Sequence, residues 1–224
     1  MTTKPFVHSY SAGKMFEQCP HRFHEDRVLR RFPFVQGPEA KEGDEIHKAM
    51  ERYIKHETAF PRRYEYLEPI AVEAHAMPGV KQVESKWGLT KQFTPCGYFD
   101  DEVYYRYRND FVTVEENAAT LIDWKTGKAS YPDIDQLVEG AVCLMLHNPD
   151  VDEVKAALVF MKHDVVEVRH YTREFLDDYV DDMAAKYAEI DAVMKEGEYE
   201  KTPSALCPWC PVEECEFWTP RKSK

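Results

Sequence analysis

Leu121-Ile122-Asp123-Trp124-Lys125-Thr126-Gly127-Lys128 is the stretch around which the chain is organised. Two apolar residues open it, as at the end of a buried strand, and Thr-Gly closes it, as in a turn. Side chains alternate along a strand, so Asp123 and Lys125 face the same way. Burying both is costly unless they pair or bind something. An acid that holds a divalent ion, with an ammonium beside the attacking water, is what a metal-dependent hydrolase needs. Asp-x-Lys is also common at solvated strand ends, so its neighbours decide.

Outward from this stretch, two kinds of texture appear. Before it, a helical pattern follows Ser9-Tyr-Ser11 to about Leu29, either serine serving as cap, with Met15, Phe16, Cys19 and Phe23 at helical spacing. A second helix is predicted over 39–56, with Ile46, Met50, Tyr53 and Ile54 inward, and a shorter one over 67–77, stopped by Pro78-Gly79. Strands are predicted over 82–89, 93–99, 102–107 and 111–115, with Asn117 separating the last from the strand 119–125. A helix over 132–146 follows, then strands 155–161 and 165–171. Thr172 is placed to cap a long amphipathic helix to about Glu196. The expected architecture is one α/β domain: a helical entry (1–80), a sheet with a crossover helix (81–172), a long helix (173–196) and a cysteine-rich, metal-bound tail (197–224).

Composition narrows the class. The chain has 224 residues, 43% of them hydrophobic, enough for a real core. No apolar run reaches membrane-spanning length and the start lacks an apolar targeting segment, so a cytoplasmic protein with no membrane partner is expected. A net charge of −12 argues against a non-specific nucleic-acid coat protein. It leaves room for an enzyme with local basic strips, at Arg27, Arg30 and Arg31, at Arg62 and Arg63, at Lys125 and Lys128, and at Arg221, Lys222 and Lys224. Six cysteines are too few for a disulfide scaffold of this size.

Further polar residues are candidates to join Asp123 and Lys125. Asp100 ends Gly97-Tyr98-Phe99-Asp100, just before the Asp123 strand. If the two strands pair, the two carboxylates meet and require a cation between them. His47 lies beside the buried stripe of the second helix and reaches a metal if that helix packs over the strand ends. Gln136, at the start of the crossover helix, is placed to bond a phosphate or the nucleophilic water, or simply to cap. Glu84 is an acid in a predicted core strand, read as supporting or structural. Cys207-Pro-Trp-Cys210-Pro-Val-Glu-Glu-Cys215 is a dense thiol cluster, for which Cys19 is the candidate fourth ligand, with Cys96 and Cys143 as buried thiols.

In this order, Ser9-Tyr-Ser11, Cys19-Pro20, Gly43 to His47, Gly97 to Asp100, Asp123 to Gly127 and Gln136-Leu137, the chain resembles the RecB-like branch of the PD-(D/E)XK nuclease superfamily. The resemblance implies a restriction-endonuclease-like mixed sheet flanked by helices. It implies one or two Mg2+ or Mn2+ ions held by His47, Asp100, Asp123 and the backbone carbonyl of Trp124, with Asp100, Asp123, Lys125 and Gln136 as the catalytic set. Lys125 would orient the attacking water and steady the phosphate charge. The family often has a tyrosine four residues after the glutamine, where this chain has Gly140. The cysteines resemble those of the iron–sulfur members, such as the AddB nuclease domain and the CRISPR adaptation nucleases, with Cys19, Cys207, Cys210 and Cys215 around a 4Fe–4S cluster; zinc fits the same ligands.

The resemblance therefore implies a DNA exonuclease acting on single strands or duplex ends, with DNA as partner and recombination or replication proteins as further candidates; the small single-domain build, without helicase segments, suggests a phage or prokaryotic enzyme. The alternatives are a non-catalytic DNA-binding or recombination protein on the same fold, with zinc in the tail, and a hydrolase of another substrate.

Overall fold

The computed structural model describes residues 5–33, 35–130 and 132–220; the basic strip Arg221, Lys222 and Lys224 lies outside them. The chain divides into two compact units, one built from its two ends (up to Val35 and from Asp182 onward), the other from Gln36–Asp181.

In the first unit, α1 (Tyr10–Gln18) starts where Ser9 Oγ accepts the Ala12 N–H at 3.4 Å, as its cap position predicts. The expected single helix breaks at Cys19, which is extended (φ −167°) and is followed by Pro20 as the first residue of α2 (Pro20–Phe23). A π-helical turn, His24–Val28, continues it, closed by Leu29 N–H donating to the His24 carbonyl at 2.8 Å. The C-terminal part packs back on this entry: Met183, Tyr187 and Ile190 are buried, and His8 Nε2 lies 2.9 Å from Asp191 Oδ1.

The second unit holds α3 (Pro38–His56), α4 (Glu68–Ala76), β1 (Val80–Val83), β2 (Lys86–Leu89), β3 (Pro95–Cys96), β4 (Tyr105–Arg108), β5 (Phe111–Glu115), β6 (Ala118–Lys125), α5 (Asp135–His147), β7 (Glu153–Phe160) and β8 (Val165–Thr172). The last helix, α6 (Leu176–Glu196), starts here and runs on into the first unit. Thr172 does not cap it; a 3-10 turn, Arg173–Phe175, intervenes, and Leu176 rather than Phe175 is buried.

The strands form a five-stranded mixed sheet, β1-β5-β6-β7-β8, in which only β6 and β7 are parallel, joined through α5, and a three-stranded antiparallel sheet, β3-β2-β4. Period-two alternation along β6 sorts the large sheet's faces. Ile122 and Trp124 join Ile46, Met50 and Ile54 of α3 and Ala71 and Ala74 of α4 in one core. Leu121 points the other way, against α5 at Gly140, and Leu137, Ala141, Leu144 and Met145 of α5 are fully buried as their spacing predicts. The result is a mixed α/β fold with helices on both faces of the large sheet.

Two expected strands are corrected. The run 82–89 is interrupted at Glu84, whose φ of +55° turns the chain out of the large sheet and into the small one. The run 93–99 shortens to Pro95–Cys96, because a turn with Phe93 at φ +56° precedes it and the Gly97–Asp100 turn follows. That segment pairs with β2, not with β6. The small sheet depends on Gly88, where an added Cβ would lie 2.7 Å from the Gly97 carbonyl oxygen. Gly88→Ala should therefore destabilise the protein by about 1–3 kcal/mol, read as a lower denaturant midpoint; an unchanged midpoint would mean that this close approach carries no strain.

Candidate active site

The β5–β6 hairpin sets the site. Phe111 pairs with Ile122, so Asp110 stands directly opposite Asp123, one step beyond the last pair of the ladder. On the other side of β5, Val83 pairs with Phe111, which brings Glu84 level with Asp110. Glu84, Asp110 and Asp123 thus form one rung across three strands, which lie about 4.8 Å apart. The rung is tied down by backbone: Glu84 N–H donates to the Asp110 carbonyl at 3.0 Å, and Trp124 N–H donates to Asp110 Oδ2 at 2.8 Å.

Helix α3 brings His47 to the same rung. Gly43, one turn earlier, permits the approach: a Cβ there would be 3.0 Å from Thr126 Oγ1, in the turn after Lys125. His47 Nδ1 lies 3.2 Å from Asp110 Oδ1 and 3.7 Å from Glu84 Oε1. His47, Glu84 and Asp110 each offer a ligand atom, all within 4.8 Å of one another. On the α5 side, Lys125 Nζ lies 2.6 Å from Asp123 Oδ2, a close ion pair out of line for a hydrogen bond, and donates to Gln136 Oε1 at 2.9 Å.

Burial alone lowers the His47 pKa, but the Asp110 and Glu84 carboxylates outweigh it and raise it to about 10. Burial and the facing Asp110 carboxylate raise Asp123 to about 6, against the pull of Lys125 and Gln136. Glu84 is held low, burial being overcome by His47 and by Arg108, whose Nε donates to Glu84 Oε2 at 2.7 Å. Three inward acids with a protonated histidine among them make a nest for a cation. An imidazole, two carboxylates and a third carboxylate behind them are oxygen and nitrogen donors suited to Mg2+ or Mn2+.

The expectation for Asp100 is corrected here. Because its strand pairs with β2, its side chain is exposed and accepts the Gly97 N–H at 2.6 Å, capping its own turn. Asp110 occupies the place beside Asp123 that had been expected of Asp100. Glu84, read as supporting, belongs to the cluster itself. Gln136 is buried and in contact with Lys125. At Gly140, where the family often has tyrosine, the Tyr107 ring comes in from β4 instead: a Cβ at 140 would lie 2.5 Å from the Tyr107 hydroxyl.

The four cysteines of the tail reading are also brought together, within the first unit. Cys19, Cys207, Cys210 and Cys215 line one cavity with His21, Arg22, Val212 and Trp218. Cys207 sits in a 3-10 turn, its Sγ accepting the Ser204 N–H at 3.3 Å, and Trp218 Nε1 donates to the Cys210 carbonyl at 3.1 Å. Cys143 is fully buried on α5, and Cys96 is half-buried.

The charge arrangement is testable in metal-free protein. A histidine with a folded pKa above its unfolded one stabilises the fold fully below about pH 6.5, and that contribution is lost as pH rises through the folded value. His47 should show no ring titration by NMR between about pH 6 and 8, where an unpaired histidine titrates. A midpoint near the ordinary value would mean that Asp110 and Glu84 do not hold its proton.

The family profile of the PD-(D/E)XK nuclease superfamily matches residues 62–215, more than half of the chain. A crystal structure of an exonuclease candidate from Eubacterium rectale is similar in fold, with 12% identity, TM-score 0.53, and 94% of this chain and 86% of that one covered. A crystal structure of SSO0001 matches at 12% identity and TM-score 0.47, covering 98% and 90%. No curated protein matches the sequence. A profile match over more than half of the chain, on a mixed sheet flanked by helices, places the chain in the PD-(D/E)XK nuclease superfamily.

Proposed function

We propose that this chain is a divalent-metal-dependent DNA exonuclease of the RecB-like branch, hydrolysing phosphodiester bonds of single strands or duplex ends in a prokaryotic or phage cytoplasm. The observation that carries the reading is the Glu84–Asp110–Asp123 rung with His47 above it and Lys125 beside it. In this reading His47, Asp110 and Asp123 hold Mg2+ or Mn2+ with the Trp124 carbonyl, and Glu84 stands in or just behind the ligand set. The ion supplies Lewis acidity and a water acidic enough to attack at neutral pH.

The protein's own groups do the rest. Lys125 is pinned between Asp123 and Gln136, so its ammonium has one position from which to orient the water and meet the charge growing on the phosphate. Gln136 fixes that position from α5. Arg108, paired with Glu84, would compensate that carboxylate with His47 neutral as a metal ligand. Recombination or replication proteins are candidate partners on this reading.

We further assign a structural 4Fe–4S cluster to Cys19, Cys207, Cys210 and Cys215. What supports it is their common cavity and their spacing.

Two experiments test the parts separately. With labelled oligonucleotides and Mg2+ or Mn2+, Asp110→Asn, Asp123→Asn and Lys125→Ala should each lose about 100-fold or more in rate while staying folded. Asp100→Asn should cut like the wild type, and a dead Asp100→Asn beside an active Asp110→Asn would reverse the assignment. For the cluster, anaerobically purified protein should be brown, absorbing near about 400 nm, and Cys210→Ser should lose iron and colour. A colourless, zinc-containing wild type would overturn the iron–sulfur assignment and leave the nuclease reading intact.

A further inference from the structure

The small sheet carries a second chemistry next to the carboxylate rung. Alternation along its paired strands puts Lys86, Gly88, Arg106 and Arg108 on one face, while Trp87, Leu89, Tyr105 and Tyr107 are buried on the other. The turn after β3 crosses the first face at Gly88 and lays Tyr98 and Phe99 on it. Lys86 Nζ lies 5.8 and 5.6 Å from the ring centres of Tyr98 and Phe99, and Arg106 Cζ lies 4.9 and 5.6 Å from the same two rings.

Neither cation forms an ion pair among the described residues, and Arg106 Nε has no hydrogen-bond partner there. Phe99 is 73% exposed. Arg108, the third cation of the face, is bonded through its guanidinium to Glu84, so the face runs straight into the site. Asp100, in the same turn, accepts the Gly97 N–H.

An exposed ring flanked by two cations without carboxylate partners matches what a base and its neighbouring phosphates present together. Within a duplex the faces of the bases are covered by their neighbours, so such a ring is useful only to an unpaired nucleotide. We propose that this face seats a single-stranded segment beside the scissile phosphate, an unpaired base stacking on Phe99 while Lys86 and Arg106 hold adjacent phosphates. The assignment rests on the nuclease reading and narrows its substrate to strands with unpaired bases.

The test uses the whole chain, metal-free in EDTA, with fluorescent oligothymidine and a blunt duplex read by anisotropy. Phe99→Ala should weaken single-strand binding about five- to tenfold and Phe99→Tyr should restore it. Duplex binding should stay within about twofold, because its bases offer no free face. Lys86→Ala and Arg106→Ala should each flatten the slope of log affinity against log salt by about 0.7. Hydrolysis of the same strand with Mg2+ or Mn2+ is followed in parallel, where Phe99→Ala should raise KM and leave kcat. Unchanged single-strand binding by Phe99→Ala in a protein that cuts DNA sinks the platform and leaves the nuclease standing. Equal losses on strand and duplex sink it too. The expected binding losses in a protein that cuts nothing sink the nuclease reading and leave the platform.

Discussion

Like charges brought together on one rung of a sheet constrain everything around them. Glu84, Asp110 and Asp123 stand level at the ends of three neighbouring strands, and mutual repulsion would open the sheet there without compensation. The protein supplies it from three directions: His47 from α3, Arg108 from the small sheet, and Lys125 from the next position on the same face of β6. The first two need a backbone concession. Gly43 lets α3 come close, and Glu84 adopts a left-handed conformation that a non-glycine residue takes only at a cost.

Much of this was legible in the sequence. The Asp-Trp-Lys stretch, the strand that carries it, the crossover helix and the inward faces of α3 and α5 follow from period alone. The partner of Asp123 was also readable, by counting. A hairpin folded at Glu116-Asn117 sets Asp110 against Asp123, whereas reading Gly97 to Asp100 as the motif points to a segment that pairs elsewhere. The signal is the turn, not the motif pattern. Glu84 was harder. Its place depends on the switch between two sheets, and nothing local in Val83-Glu84-Ser85-Lys86 marks a chain about to leave one sheet for another.

Gly140 illustrates a different kind of illegibility. A missing tyrosine on α5 reads from the sequence as a departure. In three dimensions the space is filled from β4 by the Tyr107 ring, which a side chain at 140 would exclude. The ring of one element fits over the glycine of another, and only tertiary packing reveals such a fit.

The first unit is stitched from segments far apart along the chain: His8 meets Asp191, the His21 N–H donates to the Glu200 carbonyl at 2.9 Å, and Arg31 meets Glu214. During synthesis its early half must therefore wait on the ribosome while some 150 residues are added, with Cys19 and the apolar side of α1 lacking their mates. The middle unit, by contrast, has all of its strands in hand once β8 emerges. Birth order thus makes the cysteine-bearing part the last to mature.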